Sequence, residues 1–332
     1  MYYNAIFPVT NSIWIAVLLL VIGIIFIIKG GDFFVDASVW VAEVLRMPKF
    51  LIGATIVSIA TTLPEMIVSI IAVCGENYAI SIGNALGSVT ANTGLILAIS
   101  AIFVSGTIER RDFGVKSILI ILSTVTIFLF GLSGKFGIFP SIILVIILIY
   151  YMYETIVSAK RAVDKKEELE AENKKEVSSK TIILNVTKFV IGAAGIVLGA
   201  DLLVENAKIV ASALGVSDGI IAITIVAIGT SLPELITTIT SIVKKQGDLG
   251  VGNIIGANII DLVLILPICS FISGGNLIVE PQSMLLDAPF CLLISLIAVV
   301  PAFIFKKFSK LQGFILLAVY LLYIILAATL QL

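Results

Sequence analysis

A five-residue stretch that ends in glutamate occurs twice in this chain, each time inside a long apolar run. The copies are TTLPE at 61–65 and TSLPE at 230–234, so Glu65 and Glu234 are 169 positions apart. A glycine-rich stretch follows each copy at the same separation, 83–88 in the first case and 252–257 in the second. A carboxylate in apolar surroundings is costly unless something pairs with it. The repeat therefore predicts a duplicated chain whose halves share one polar site.

The composition indicates a membrane protein. Of 332 residues, 59% are hydrophobic and 13% charged, against about 25% charged in a soluble domain. Apolar runs of 17 or more residues recur throughout, which is typical of membrane helices and not of a transmembrane barrel. We expect ten spans, at about 12–45, 50–74, 79–104, 116–133, 138–156, 181–214, 219–243, 249–273, 284–304 and 311–331. The first is so long that it must tilt or break near Gly30-Gly31.

The basic residues predict the orientation. With ten spans, 17 Lys and Arg fall on one side, Lys116 among them, and Lys135 alone falls on the other. The positive-inside rule then predicts a cell-membrane protein with both termini outside and a cytoplasmic, partly helical charged loop at 157–180. The resulting domains are a first five-helix repeat at 1–156, this loop, and a second repeat at 181–332.

The two halves align without a gap, residues 30–92 on 199–261. Five spans separate equivalent points, and because five is odd the second half must be inverted in the membrane. The predicted fold is thus an all-α polytopic membrane protein of ten transmembrane helices in two inverted five-helix repeats. Inverted repeats are typical of secondary transporters, whose site lies near the midplane between the repeats. A cation channel on the same plan remains an alternative.

The repeated stretch offers hard oxygen ligands. A proline removes one backbone donor, so Pro64 and Pro233 should free carbonyl groups in the preceding turn. Together with Glu65, Glu234 and the hydroxyls beside them, these oxygens suit Ca²⁺ or Na⁺. One divalent or two monovalent cations would cancel the two carboxylate charges, so the chain should change sides only when it is loaded. The small residues of the glycine-rich stretches should let helices approach closely and bring Ser88, Asn92, Ala257 and Asp261 toward the centre.

Other classes of function are disfavoured. The chain has no histidine, which excludes Ser-His hydrolysis and histidine metal sites. Cys74, Cys269 and Cys291 are isolated and are expected to be packing residues. There is no nucleotide-binding GxxxxGK[ST] motif and no basic patch for nucleic acid. We therefore expect a transporter rather than an enzyme, with no cofactor, no protein partner and the lipid bilayer as its surroundings.

The acidic residues outside the repeated stretch are not the main candidates for ion binding. Asp32, Asp36, Asp201 and Glu205 are expected near the outer interface or a helix break, in structural or capping roles, with ion access as the alternative. Asp287 begins a span, so we expect it to be a cap or an interface residue.

At the repeated motifs, TTLPE with GNALGSVTAN and GTSLPE with GNIIGANIID, the chain resembles the calcium/cation antiporter family, most closely its prokaryotic sodium/calcium exchanger branch. The resemblance covers nearly the whole chain. It implies exchange of about three Na⁺ for one Ca²⁺ by alternating access, with the first helix of each half sliding over the rest. It implies that Ca²⁺ is bound by Glu65 and Glu234 and by the backbone carbonyls of Thr61 and Thr230. The Na⁺ sites that it implies share the glutamates and add Thr62, Ser231, Ser88 and carbonyls of Ser58 and Ala227. Asn92 and Asp261 form the implied central polar pair.

One position departs from this pattern. Where the resemblance expects a second serine equivalent to Ser88, the chain has Ala257. The missing hydroxyl puts the sodium stoichiometry in question, so a Ca²⁺/H⁺ or other cation/H⁺ antiporter on the same scaffold is the main alternative. The GN-x-x-E signature of the proton-coupled branch does not occur.

Overall fold

The computed structural model describes residues 12–103, 110–169, 178–214 and 229–330. In chain order the α-helices are α1 (Ile13–Val44), α2 (Lys49–Ile52), α3 (Ser58–Thr61), α4 (Leu63–Cys74), α5 (Tyr78–Ala91), α6 (Ala98–Phe103), α7 (Arg110–Gly131), α8 (Ile138–Leu169), α9 (Ser179–Ala213), α10 (Leu232–Val243), α11 (Gly247–Ile260), α12 (Leu266–Ile272), α13 (Ala288–Phe305) and α14 (Lys310–Leu330). π-Helical turns lie at Gly53–Val57, Asn92–Leu97, Asp261–Ile265 and Ser283–Asp287. Two short strands, β1 (Lys135–Phe136) and β2 (Leu277–Ile278), pair antiparallel and join loops of the two halves.

The helical membrane architecture is confirmed, whereas the count of ten spans stays a prediction. Eight helical stretches of the described chain are long and apolar enough to cross a membrane. Lys49–Thr61 and Leu63–Cys74, which meet at 44°, make a ninth if they form one bent span. Only the last part of the predicted span 219–243 lies among the described residues, where it forms α10.

The stretches that carry the glycine-rich motifs lie at the centre of the molecule. Gly247–Ile272 is the most buried of the candidate spans, followed by Ile80–Phe103. Within α11 every residue from Leu249 to Ile260 is buried, as expected for a helix that is apolar on all sides and surrounded by protein. The long helices α1 and α9 are mostly exposed and lie at the periphery, where their apolar side chains face lipid.

Helix α1 does not break at its glycine pair. It runs unbroken from Ile13 to Val44, so of the two predicted solutions only tilting remains. The glycines serve close packing instead. A Cβ on Gly30 would lie 2.9 Å from the Gly192 carbonyl oxygen, and one on Gly192 would lie 2.9 Å from the Gly30 carbonyl oxygen. Gly23 and Gly199 approach each other in the same reciprocal way, so α1 and α9 cross in antiparallel directions with their backbones in contact.

Two basic residues form ion pairs between helices, and the structure places one of them, Lys116, differently from the sequence-based count. Lys116 is fully buried in α7 rather than in a loop, and its Nζ lies 3.1 Å from Glu154 Oε2 of α8. Lys244 follows α10 and lies 3.2 Å from Asp32 Oδ1 and 2.7 Å from Asp36 Oδ1 of α1. Burial alone would lower the pKa of Lys244, but hydrogen bonds to Asp36 and Asp32 outweigh it and raise that pKa.

The structure also shows the partners of other acidic residues. Asp32 and Asp36 both pair with Lys244, which follows α10, so they lie on the same side of the molecule as the loop between α10 and α11. Glu205 pairs with Lys208 at 2.6 Å on the same helix, α9. Asp287 makes no side-chain cap; it is buried and accepts a hydrogen bond from the Tyr323 hydroxyl at 3.1 Å.

The contact between α1 and α9 can be tested by Gly192→Ala. Helix propensity alone would favour alanine by about 1 kcal/mol, but the new Cβ would lie 2.6 Å from the Phe34 backbone nitrogen. We expect a net loss of about 1–3 kcal/mol, seen as a lower apparent Tm in detergent. Gly75→Ala is the control, because its Cβ would meet only ordinary contacts at 3.5 Å or more. Equal Tm values for the two variants would contradict the assigned contact.

Candidate functional site

Both glutamates of the repeated motif lie in the first turn of a helix that follows a break. Helix α3 ends at Thr61, Thr62 has φ −85° and ψ −1°, and α4 begins at Leu63 with Pro64 in its first turn. Ser231 has nearly the same angles, φ −87° and ψ 9°, before Pro233 and Glu234 in α10. Proline fits the first turn of a helix but not its interior. Thr61 and Glu65 therefore belong to two successive helices, α3 and α4, and not to one continuous helix.

This placement partly accommodates the buried charges. The amino end of a helix carries a partial positive charge, which stabilises a carboxylate in the first turn. Glu65 is 1% exposed and Glu234 is fully buried. Among the described residues both Glu65 side-chain oxygens and Glu234 Oε2 lack hydrogen-bond partners. Glu234 Oε1 accepts a long hydrogen bond, 3.4 Å, from Thr62 Oγ1 of the other half. The site thus presents carboxylate oxygens that the described protein groups leave unpaired.

The threonines beside the glutamates cross-link the halves. Thr61 Oγ1 donates to Asn253 Oδ1 of α11 at 3.1 Å. Thr62 Oγ1 donates to its own half, to the Ser58 carbonyl at 2.7 Å. The expected sodium ligands Thr62 and Ser58 are therefore bonded to each other here. In the second half Thr230 is half-buried, Ser231 is buried with a partnerless Oγ, and Ala227 lies outside the described residues.

The expected central pair occupies equivalent turns of two helices. Asn92 and Asp261 each begin a π-helical turn, after α5 and after α11. Each is 1% exposed, and no polar side-chain atom of either has a hydrogen-bond partner in the described part of the chain. Asp261 and Glu234 are close enough to Glu65 for their charges to interact with it. The structure thus brings Glu65, Glu234 and Asp261 into one neighbourhood.

The glycine-rich stretches differ at the position marked by sequence. Ser88 is buried and its Oγ has no partner within the described ranges, whereas the equivalent Ala257 is fully buried and offers only a methyl group. The described residues contain no cluster of three His, Cys, Asp or Glu side chains with the geometry of a metal site. Any cation bound here would therefore depend on hydroxyl, amide and carbonyl oxygens as well as on carboxylates.

Three asparagines at this centre were not predicted from the sequence to be functional residues. Asn84 Nδ2 donates to the Glu65 carbonyl at 3.3 Å and to Ser69 Oγ at 3.0 Å, and Asn253 receives the Thr61 hydroxyl. Asn258 Nδ2 donates to Thr93 Oγ1 at 2.8 Å, between α11 and the turn after α5. The signal was available for two of them, because Asn84 and Asn253 follow glycine at equivalent positions of the repeat.

Comparison with known proteins identifies the family. The model of the family described as sodium/calcium exchanger protein matches the chain twice, over residues 15–157 and 184–329. The chain belongs to the sodium/calcium exchanger family. Each match covers one of the halves inferred from the repeat. The exchanger is a multi-pass membrane antiporter for Ca²⁺ and another cation, not an enzyme, and the family uses no cofactor.

Its relatives span its whole length. The membrane protein MJ0091 of Methanocaldococcus jannaschii is 33% identical over 305 residues, 91% of this chain and 94% of the relative. The sodium/calcium exchanger MaX1 of Methanosarcina acetivorans is 27% identical over 93% of this chain and 97% of its own. A solved structure of the sodium-calcium exchanger NCX_Mj, soaked with 10 mM Na⁺ and 10 mM Sr²⁺, is 30% identical with a TM-score of 0.77, covering 97% of this chain and 100% of that one.

The assignment of the glutamates predicts a thermal response to Ca²⁺. A ligand that binds only the folded protein raises its stability by mass action. We expect Ca²⁺ to raise the Tm of the wild type and to have little effect on Glu65→Gln or Glu234→Gln, measured in detergent. Glu280→Gln is the matched control, because Glu280 is exposed and its loss should leave the Ca²⁺ response intact. Full Ca²⁺ stabilisation of both buried-site variants would remove these residues from the site.

Proposed function

We propose that this exchanger moves Ca²⁺ against Na⁺ by alternating access, with the ions bound near the membrane midplane between its halves. The observation that carries the proposal is the pair of buried glutamates, one from each half, whose side-chain oxygens have almost no hydrogen-bond partners among the described residues. Unpaired carboxylates are costly in a protein interior that water does not reach. A bound cation offsets that cost, and an empty site restores it.

The proposed ligands are those of the repeated motif. Ca²⁺ is held by Glu65 and Glu234 with Thr61 and Thr230. Na⁺ uses the same glutamates with the residues that flank them, namely Thr62, Ser231, Ser88 and the carbonyls of Ser58 and Ala227. Asn92 and Asp261 form the polar centre between these sites. Because the Thr62 hydroxyl donates to the Ser58 carbonyl here, sodium binding at these two groups would exchange that hydrogen bond for ion contacts.

The proposed architecture is two inverted five-helix repeats. It is supported by the reciprocal contacts of α1 and α9, which are equivalent helices in the two halves and run antiparallel. In the proposed orientation both termini lie outside and the charged loop at 157–180 lies in the cytoplasm. Because the halves are related by an approximate two-fold axis, a conformation open to one side has a mirror counterpart open to the other.

Proton coupling is the second candidate, and one observation favours it. Ala257 contributes a buried methyl where the equivalent Ser88 contributes a hydroxyl. One fewer oxygen weakens a site for a hard cation such as Na⁺, while Asp261, a partnerless carboxyl nearby, offers a place for a proton. The two candidates share the scaffold and the Ca²⁺ ligands and differ only in the counter-ion.

Uptake of ⁴⁵Ca²⁺ into proteoliposomes separates the candidates. We expect uptake into Na⁺-loaded vesicles and none into K⁺-loaded vesicles without a pH gradient, because the loaded site must return with a counter-ion. Uptake into acid-loaded vesicles that is indifferent to Na⁺ would establish proton coupling instead. Glu65→Gln and Glu234→Gln should abolish uptake by either route. Equal Ca²⁺ flux under all three loading conditions would point to a channel and overturn the exchange mechanism.

The role of the missing hydroxyl can be tested by Ala257→Ser. The added oxygen should lower the half-saturating Na⁺ concentration several-fold if position 257 lines a sodium site, because it supplies a further hard ligand. Ser88→Ala is the matched reverse change and should raise it. An unchanged Na⁺ response in both variants would exclude this pair of positions from sodium binding.

A further inference from the structure

Asn84 and Asn253 occupy equivalent positions of the two halves, 169 residues apart, yet they make different hydrogen bonds. Asn84 bonds within its own half. Its Nδ2 donates to the Glu65 carbonyl at 3.3 Å and to Ser69 Oγ at 3.0 Å, and so it ties α5 to the first turns of α4. The backbone of a site glutamate is thereby fixed by an amide from the neighbouring helix.

Asn253 bonds across the halves instead. Its Oδ1 accepts the Thr61 hydroxyl at 3.1 Å, and its Nδ2 is buried without a partner in the described structure. Thr238, the equivalent of Ser69, also has a buried Oγ1 that finds no partner in the described part of the chain. The two helices are nevertheless adjacent, since a Cβ on Gly250 of α11 would lie 3.4 Å from Thr238 Cγ2 of α10. A donor and an acceptor therefore stand unused on neighbouring helices.

The unused groups are those that the first half uses. Applying the arrangement around Asn84 to the second half gives bonds from Asn253 to the Glu234 carbonyl and to Thr238 Oγ1. Applying the arrangement around Asn253 to the first half gives a bond between Asn84 and Thr230, the equivalent of Thr61. The described conformation thus contains one of two hydrogen-bond patterns that the repeat relates to each other, the other being called its mirror here. In each pattern one asparagine bonds within its own half and the other bonds across to the opposite half.

We propose that Asn84 and Asn253 are positioning residues that exchange these patterns during transport, each alternately fixing its own site glutamate and bridging to the opposite threonine. The inference rests on the proposed exchange function, because it needs two mirror-related conformations. Both patterns contain three hydrogen bonds, so neither is strongly favoured, as a reversible carrier requires. The unpaired amide and hydroxyl left in each pattern lower the cost of leaving it.

Alanine substitutions should then act in opposite directions. Asn84→Ala removes two hydrogen bonds from the described pattern and one from its mirror, so it should shift the protein to the mirror conformation. Asn253→Ala removes one and two respectively, so it should favour the described conformation. The net difference of one hydrogen bond corresponds to a roughly fivefold change in the equilibrium. A change in the populations of the two conformations shifts the apparent Ca²⁺ affinities at the two membrane faces in opposite directions.

Hydrogen–deuterium exchange of the ion-free protein in nanodiscs tests the inference without relying on transport. Asn84→Ala should speed amide exchange in α4 and slow it in α10, and Asn253→Ala should do the reverse. Ser69→Ala should follow Asn84→Ala, and Thr238→Val should follow Asn253→Ala, since each removes one bond from one pattern only. The double variant Asn84→Ala/Asn253→Ala should return the balance between α4 and α10 toward that of the wild type.

A second measurement connects the exchange data with function. The ratio of half-saturating Ca²⁺ concentrations in right-side-out and inside-out vesicles should move about fivefold in opposite directions in the two asparagine variants. If both variants change this ratio or the amide exchange in the same direction, or leave both unaltered, the residues are merely structural and the inference fails. Absence of Ca²⁺ flux in the wild type would instead refute the proposed function, and the amide-exchange result would remain a separate test of the two patterns.

Discussion

The structure depends on placing two carboxylates where water and lipid are both excluded. Glu65 and Glu234 come from different halves and lie in the first turn of the helix that follows a break. The helix amino ends stabilise them in part, and one threonine hydroxyl reaches across to Glu234. Among the described residues, most of the oxygens of these two carboxylates have no hydrogen-bond partner. The protein interior therefore lacks the positive charge that would balance them. A site of this kind requires a cation because the fold buries the carboxylates, and not because a rigid set of ligands surrounds the ion.

In the proposed mechanism, the duplication allows the chain to meet this requirement for a cation from either side of the membrane. Two equivalent long helices, α1 and α9, touch through reciprocal glycines at the periphery, while the equivalent glycine-rich stretches lie at the centre. The halves are not identical, however. Glu154 of α8 pairs with Lys116 in the first half, whereas Tyr323 of α14 donates to Asp287 in the second half. Lys244 ties α10 to Asp32 and Asp36 of α1, and glycine occupies the equivalent position 75 of the first half. In the proposed alternating-access mechanism, such differences would set the balance between conformations that an exact repeat would leave equal in energy.

The sequence predicted the membrane class, most span positions and the burial of the two glutamates, because those properties follow from apolar length and from a strict repeat. It left open whether α1 tilts or breaks, since Gly30-Gly31 is compatible with a hinge until its packing partner Gly192 is seen. Lys116 was misplaced because a charge count cannot distinguish a loop lysine from one that Glu154 neutralises in the interior. The asparagines were overlooked because an amide acts through its partners, and those lie 15 and 192 residues away in the sequence.

The choice of counter-ion follows from how negative charge is cancelled at the centre. Glu65, Glu234 and Asp261 are three acidic groups that interact with one another, and one Ca²⁺ neutralises only two charges. The third must be balanced by another cation or by a proton on a carboxyl group. A further Na⁺ needs several oxygens around it, and the chain supplies the Ser88 hydroxyl on one side but a methyl at Ala257 on the other. A proton needs only one oxygen, and both oxygens of Asp261 lack partners among the described residues. In the proposed exchanger, this centre would therefore accommodate a proton more easily on the side of Ala257 and a sodium ion more easily on the side of Ser88.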